Sequence, residues 1–412
     1  MMKRVGIIGG GAAGMTAAIS AARNGAQVTL FEHTAKLGKK ILATGNGRCN
    51  LSNDYLNVKC FHGRYPEFAM SVIDSFGLPE TAAFFKSIGI YPIKNNEGYY
   101  YPRSMQAAAV SKALIRELEH LKVRVIDEVR VSGIKKSARG FTVESDKGNF
   151  HLDSLILACG GQASPQSGSD GSGYELAKML ELSVVPAVPA LVPLTSSWKG
   201  FKDLNGIRIK GKVTIYINGK ESAAEAGELQ LCDYGLSGIP VFQVSGCVAR
   251  ALAENRKVSI EAELNFAEEF SENDLGEYLY FQKKQRSFLR CGDFLTGLLP
   301  EKLGLSMFKR IGVPFDLEAG RLTKEQIDKL VKEIRAFKVP ITGTLGFDRA
   351  QVCSGGVDTG QINPSTLEAK RIPGLFVAGE LLDIDGICGG YNLQFAWSSG
   401  YLAGKAAARR TE

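Results

Sequence analysis

Two periods alternate at the start of this chain. Val5 to Ile8 is an unbroken apolar run, the pattern of a parallel strand covered on both faces. Ala12 to Arg23 is rich in alanine, with Met15 and Ile19 at helical spacing, and Gln27 to Glu32 reads as a second strand. Helical patterns follow at 66–76, 79–88 and 105–120, and Ile88 to Pro102 reads as a hairpin. Val123–Ile126, Phe141–Glu144 and Asn149–Leu152 alternate like strands of a small antiparallel sheet. Leu155 to Gly161, with Gly160 near its end, is another buried strand and is expected to rejoin the first sheet.

From about Pro189 the texture changes. Strand patterns at 191–195, 213–217, 228–232 and 257–263 precede helical stretches at 267–284 and 323–337. Glycine-rich sequence resumes at Gly343, then an apolar strand leads through Gly379 to Gly389-Gly390 and a closing helix of small residues running to Ala408. The expected fold class is α/β: a two-part Rossmann-like domain, 1–188 and 343–412, with a β-barrel plus helical lobe inserted at 189–342.

The turn between the first strand and helix is Gly9-Gly10-Gly11-Ala12-Ala13-Gly14. Gly9 permits the tight turn, Gly11 lets the backbone approach a diphosphate, and Gly14 lets helix and sheet pack closely. The first-turn amides then face negative charge. Glu32 lies 18 residues after Gly14, close to the spacing at which an acid accepts from ribose hydroxyls. The loop from Lys36 to Asn53 alternates glycines with polar residues, as for a backbone held against a ligand. Near the other end, the amides of Gly389-Gly390-Tyr391-Asn392-Leu393-Gln394 open a helix and could stabilise charge on a flavin's pyrimidine edge. A site closed by both ends of the chain points to FAD rather than NAD.

Composition narrows the reading. The 412 residues are 44% hydrophobic and 23% charged, with a net charge of +7. That balance is ordinary for a globular protein, and the basic excess reads as a solvated surface. The densest cationic stretch, Lys283 to Arg290, lacks an RNA-binding signature, so nucleic acid is not the expected partner. No secretory signal and no apolar run of membrane-spanning length is evident, and a cytoplasmic protein is expected. The eight cysteines form no C-x-x-C pair and the four histidines no ligand constellation, so no metal site is expected.

Gly45-Asn46-Gly47-Arg48-Cys49-Asn50, Leu191-Val192-Pro193-Leu194, Cys353-Ser354-Gly355-Gly356-Val357 and the block from Gly379 to Gln394 carry a resemblance over essentially the whole chain. The chain resembles the single-FAD flavoproteins that include the 3-dehydro-bile-acid Δ4,6-reductases and the aminoacetone oxidases. The resemblance implies FAD contacts from Gly9, Gly11, Ala12, Ala13 and Gly14, with Glu32 on the ribose and the Val129 backbone on the adenine. It places Lys40 and the loop residues Thr44, Gly45, Gly47, Arg48, Cys49 and Asn50 near the diphosphate and isoalloxazine. Gly160 would lie beside the cofactor. Gly379, Glu380, Gly390, Asn392, Leu393 and Gln394 would complete the ribityl and pyrimidine contacts. Asn46 departs from a usual glycine, and Asp358-Thr359-Gly360-Gln361 from a more common Thr, Lys and Glu.

With no second dinucleotide motif, NADH or NADPH would bind only transiently as electron donor. The preferred reaction is reduction of a C=C conjugated to a ketone in an apolar, anionic, steroid-like small molecule. Arg48 would steady the enolate, and Tyr101, Tyr391 or solvent would supply the proton. The alternatives are oxidation of a small aminoketone, with electrons passed to oxygen, and an FAD-dependent RNA-modifying or RNA-binding protein. Oligomeric state is left open.

Overall fold

The computed structural model describes residues 2–409, which fall into two compact units, Met1–Pro189 with Gln351–Glu412, and Ala190–Ala350. The first unit is built on a five-stranded parallel sheet. Its order is Leu375–Val377, Ser154–Leu157, Arg4–Ile8, Gln27–Phe31 and Arg124–Ile126. Every residue of the interior strand Ser154–Leu157 is buried, as a parallel strand covered on both faces requires, and so is every residue of Leu375–Val377 at one edge of the sheet. The last strand of the chain pairs beside Ser154–Leu157, so both ends of the sequence belong to one sheet.

Small residues set the packing around it. The helix Ala12–Arg23 crosses the closing helix Tyr391–Ala407, and a Cβ on Gly400 or Gly404 would sit 2.3 or 2.2 Å from the carbonyl oxygens of Ala13 and Ala17. Spaced four apart, these glycines lie on one helix face and let the two backbones touch. Trp397, wholly buried, donates its indole N–H to the Leu51 carbonyl at 3.1 Å.

Two expectations need correction. Arg124–Ile126 is the edge strand of the parallel sheet, not part of the small antiparallel sheet. Arg124 and Val125 are both exposed, so this edge strand lacks the continuous apolar burial that marks the inner strands. The antiparallel sheet is Val131–Ser137, Gly140–Ser145 and Gly148–Leu152. Its first strand buries only Ile134, which hid it from a pattern search.

The second unit is a closed six-stranded barrel with a helical lobe. The strands run Leu194–Ser196, Gly235–Ser237, Lys220–Cys232, Arg208–Ile217, Ile260–Asn265 and Phe337–Thr344 around the barrel. The last continues to Thr344, and the chain rejoins the first unit only at Gln351. The longest helix here, Ile239–Glu254, carries Val241, Val244 and Val248 on its buried side, with Pro240 in its first turn. Those β-branched residues favour strands, so the helix is invisible to propensity. The expected helices appear as Glu272–Gln285 and Lys324–Arg335, the latter opened by a Thr323–Gln326 capping box. Among the described residues no helix is long and apolar enough to cross a membrane.

Candidate functional site

The glycine turn is tightly built at two of its glycines and open at a third. Gly9 has φ +108° and lies against Ala158, and a Cβ on Gly14 would fall 1.8 Å from the Gly9 carbonyl oxygen. Around Gly11, by contrast, a Cβ would meet nothing within 4 Å. Gly11 precedes the helix without any side-chain cap, so the first-turn amides have no side chain capping them. Ala12 is half-buried, while Ala13 is buried beneath the closing helix.

Glu32 stands at the end of the second strand, 8% exposed. One carboxylate oxygen accepts from the Gly10 amide and the other from the Thr34 amide, both at 2.8 Å. These bonds fix the carboxylate beside the glycine turn. Val129 is joined to the same place, donating its amide to the Glu32 carbonyl at 3.0 Å. Gly160 follows the strand that flanks the turn, with φ +74°.

The 44–50 loop comes to the same unit as the closing helix. Gly45 and Asn46 adopt left-handed backbone, as does Cys49 at φ +62°. Asparagine tolerates this region, whereas Cys49 is a residue that seldom adopts it. Thr44 accepts the Cys49 amide through its carbonyl at 3.0 Å, and Gly47 and Arg48 are exposed. Asn50 is buried with its amide oxygen unpartnered, 2.8 Å from where a Cβ on Gly390 would lie. Asn53 donates to the Gly389 carbonyl at 3.0 Å, fastening the loop to the turn before the closing helix.

Lys40 and Glu380, both expected to face the cofactor, pair with each other at 2.6 Å. Glu380 also accepts the Cys353 amide at 3.0 Å. The pair therefore ties the early loop to two late segments. Gly379 presses on Ala13 and donates its amide to the Ser399 hydroxyl at 2.9 Å.

The structure draws the closing helix differently from the sequence in two respects. Gln394 turns its side chain into the core, donating to Thr81 and Ser398 at 2.8 Å, and its amide is spent on Gly390. Asn392 brackets Gly386 with both side-chain atoms, so it and half-buried Leu393 can offer only backbone amides to a ligand. Tyr391, 4% exposed, packs edge-on against Phe61, and burial pushes its phenol up. It is a packing residue.

Tyr101 lies on the strand Tyr99–Pro102, with its ring edge 3.4 Å from where a Cβ on Gly45 would be. Burial pushes its phenol up, Tyr99 adds to this and Arg48 opposes it. It is a neutral O–H donor at pH 7, beside an exposed guanidinium. Burial raises the thiols of Cys49, Cys159, Cys353 and Cys388 to about 12, so none is a thiolate nucleophile at neutral pH.

Sequence reasoning missed one juxtaposition. The two-residue strands Phe61–His62 and Asp385–Gly386 pair antiparallel, with His62 opposite Asp385. No local signal announces a contact between residues this far apart in the chain.

An open glycine turn, a carboxylate fixed beside it, an orphaned amide oxygen and an amide-rich helix start all suit FAD. Fold and site together define a two-part Rossmann-type flavoprotein. The HI0933-like protein Rossmann domain matches residues 3–406, and the chain belongs to that family of FAD-dependent oxidoreductases. It is 44% identical over 411 residues to a 3-dehydro-bile acid Δ(4,6)-reductase of Clostridium scindens, covering 99% of this chain and 100% of that one. A ribosomal RNA dihydrouridine synthase of Escherichia coli is 28% identical over 398 residues, 96% of this chain and 95% of that protein. Among solved structures, a 3-ketosteroid Δ4-(5α)-dehydrogenase from Rhodococcus jostii RHA1 aligns with a TM-score of 0.47 at 16% identity, over 99% and 97% of the two chains.

Proposed function

We propose that this protein reduces a carbon–carbon double bond conjugated to a ketone in a steroid-like acid, with NADH or NADPH as the transient electron donor. The observation that carries this reading is the 44% identity, end to end, with a reductase named for a bile-acid substrate. Bound FAD would supply the hydride to the β-carbon. The protein's own residues do the rest. Glu32 would accept from the ribose hydroxyls, and the amides after Gly11 would hold the diphosphate. Lys40–Glu380 and Asn53–Gly389 would hold the late segments onto the early ones. The backbone amides at the start of the closing helix would favour negative charge beside them.

Tyr101 and Arg48 suit the substrate's ketone oxygen. A phenol pushed up by burial is a poor acid but a sound hydrogen-bond donor, and the guanidinium adds positive charge as the enolate forms. Tyr101 therefore fits better as a donor to that oxygen than as the source of the proton.

The test is anaerobic. The yellow protein is mixed with NADH or NADPH, then the reduced form with a 3-oxo-Δ4,6 bile acid, with air-saturated buffer, or with ribosomal RNA. Bleaching by a nicotinamide and reoxidation by the enone faster than by oxygen is the expected result. Bleaching by an aminoketone with rapid recovery in air would instead make it an oxidase. Turnover only with RNA would make it a nucleoside-reducing enzyme.

A further inference from the structure

We infer that His62, held by Asp385, delivers the proton to the α-carbon of the substrate. The inference rests on the reaction proposed above. His62 Nδ1 and Asp385 Oδ2 are 3.4 Å apart, with the imidazole 53% and the carboxylate 6% exposed. That distance is long for a hydrogen bond, as is common at a catalytic pair before substrate arrives. The other oxygen of Asp385, Oδ1, is buried with no hydrogen-bond partner. A buried carboxylate with a spare oxygen is costly to keep unless the charge has a use.

The position of the pair is what gives it a role. Asp385–Gly386 leads directly to the Gly389-Gly390 turn, and Gly386 is held by Asn392 in the first turn of the closing helix. That turn is also fastened to the 44–53 loop by Asn53. The neighbour of His62, Phe61, packs on Tyr391. The imidazole thus stands at the junction of the two segments proposed to enclose the flavin.

With Nδ1 toward Asp385, Nε2 is the nitrogen that reaches substrate. In the imidazolium, the Nε2–H bond breaks as the α-carbon–hydrogen bond forms, while the β-carbon has taken the hydride. The double bond's electron pair becomes the new C–H bond, and His62 is left neutral. Solvent reprotonates it, since half its ring is exposed. Other charged groups close by are Arg64 and its partners. Arg64 binds Asp358 at 2.7 Å through its guanidinium and Asp383 at 2.9 Å through its amide. The phenol of Tyr391, packed on Phe61 of the same strand pair, is pushed up by burial and is uncharged at neutral pH.

The experiment compares wild-type holoenzyme with His62→Gln and Asp385→Asn. Flavin content and spectrum, bleaching by the nicotinamide, reoxidation by the 3-oxo-Δ4,6 bile acid across pH, and the His62 titration by NMR are measured. The expected result is that His62→Gln keeps its flavin and its bleaching rate but is reoxidised by the enone on the order of 10²-fold more slowly. The wild-type profile should fall as pH rises through the imidazole pKa measured by NMR, and the variant should lose that limb. Asp385→Asn should lower the imidazole pKa, since a carboxylate favours the charged ring. Wild-type reoxidation and an unchanged pH profile in His62→Gln would overturn the inference. An imidazole pKa indifferent to Asp385→Asn would overturn the pairing, whatever the substrate. A wild type inert to the enone, with the His62 titration responding to Asp385, would overturn the reaction reading and the proton role with it, leaving only the pair.

Discussion

Asp153 shows how one side chain secures the start of the central strand. It accepts the Arg4 amide at 2.8 Å and the Arg4 guanidinium at 2.7 Å. Those guanidinium hydrogen bonds chiefly hold its carboxyl below the usual range, against the opposing effect of burial. A carboxyl depressed in the folded state stabilises the fold above its unfolded pKa, about 4, and stops doing so as pH falls through the folded value. Asp153→Asn should therefore cost about 1 kcal/mol or less near pH 7, because the pair is partly exposed. The gap between variant and wild type should close in strongly acid solution, read from urea midpoints at several pH values. The place of Glu32 was the most legible beforehand, since its spacing after the glycine turn sets it at the end of the second strand, where it accepts from the Gly10 amide. Tyr391 and Gln394 were not, because sequence shows that a residue opens a helix but not which way its side chain turns. Both point inward.

At the scale of elements, the crossing of the first and last helices depends on the absence of side chains. Gly404→Ala would put a methyl 2.2 Å from the Ala17 carbonyl oxygen, which cannot move without moving the helix. Overpacking of this kind costs about 1–3 kcal/mol, and the variant should also lose flavin on gel filtration if the start of that helix forms the late half of the site, as proposed above. Gly246, in the helix Ile239–Glu254, supplies the contrast, since a Cβ there meets nothing within 4 Å. Gly246→Ala should stabilise by about 0.5–1 kcal/mol through helix propensity alone. Equal thermal shifts in the two variants would refute the packing argument. The closing helix itself was readable from its small residues, whereas Ile239–Glu254 was not, its valines favouring strand locally and helix only once packed.

For the whole molecule, the two units have separate cores. The barrel draws every strand from between Leu194 and Thr344, and its buried residues form a cluster of their own. A fragment spanning Ala190–Ala350 is expected to fold alone, unfold cooperatively in urea and bind no FAD. A fragment that remains unfolded by circular dichroism would show that the barrel needs the rest of the chain. The first unit, in contrast, is discontinuous, and its sheet is complete only when Leu375–Val377 pairs beside Ser154–Leu157.

The sequence by itself determined the two-part Rossmann-like architecture, the inserted barrel and the glycine turn with its acid. These features are written in short-range periodicity and in glycines whose backbone geometry no other residue adopts cheaply. Tertiary structure alone decided that Arg124–Ile126 closes the parallel sheet, that Lys40 pairs with Glu380, and that His62 meets Asp385. Each of these depends on which distant strands and loops lie side by side, and no local pattern of side chains encodes that.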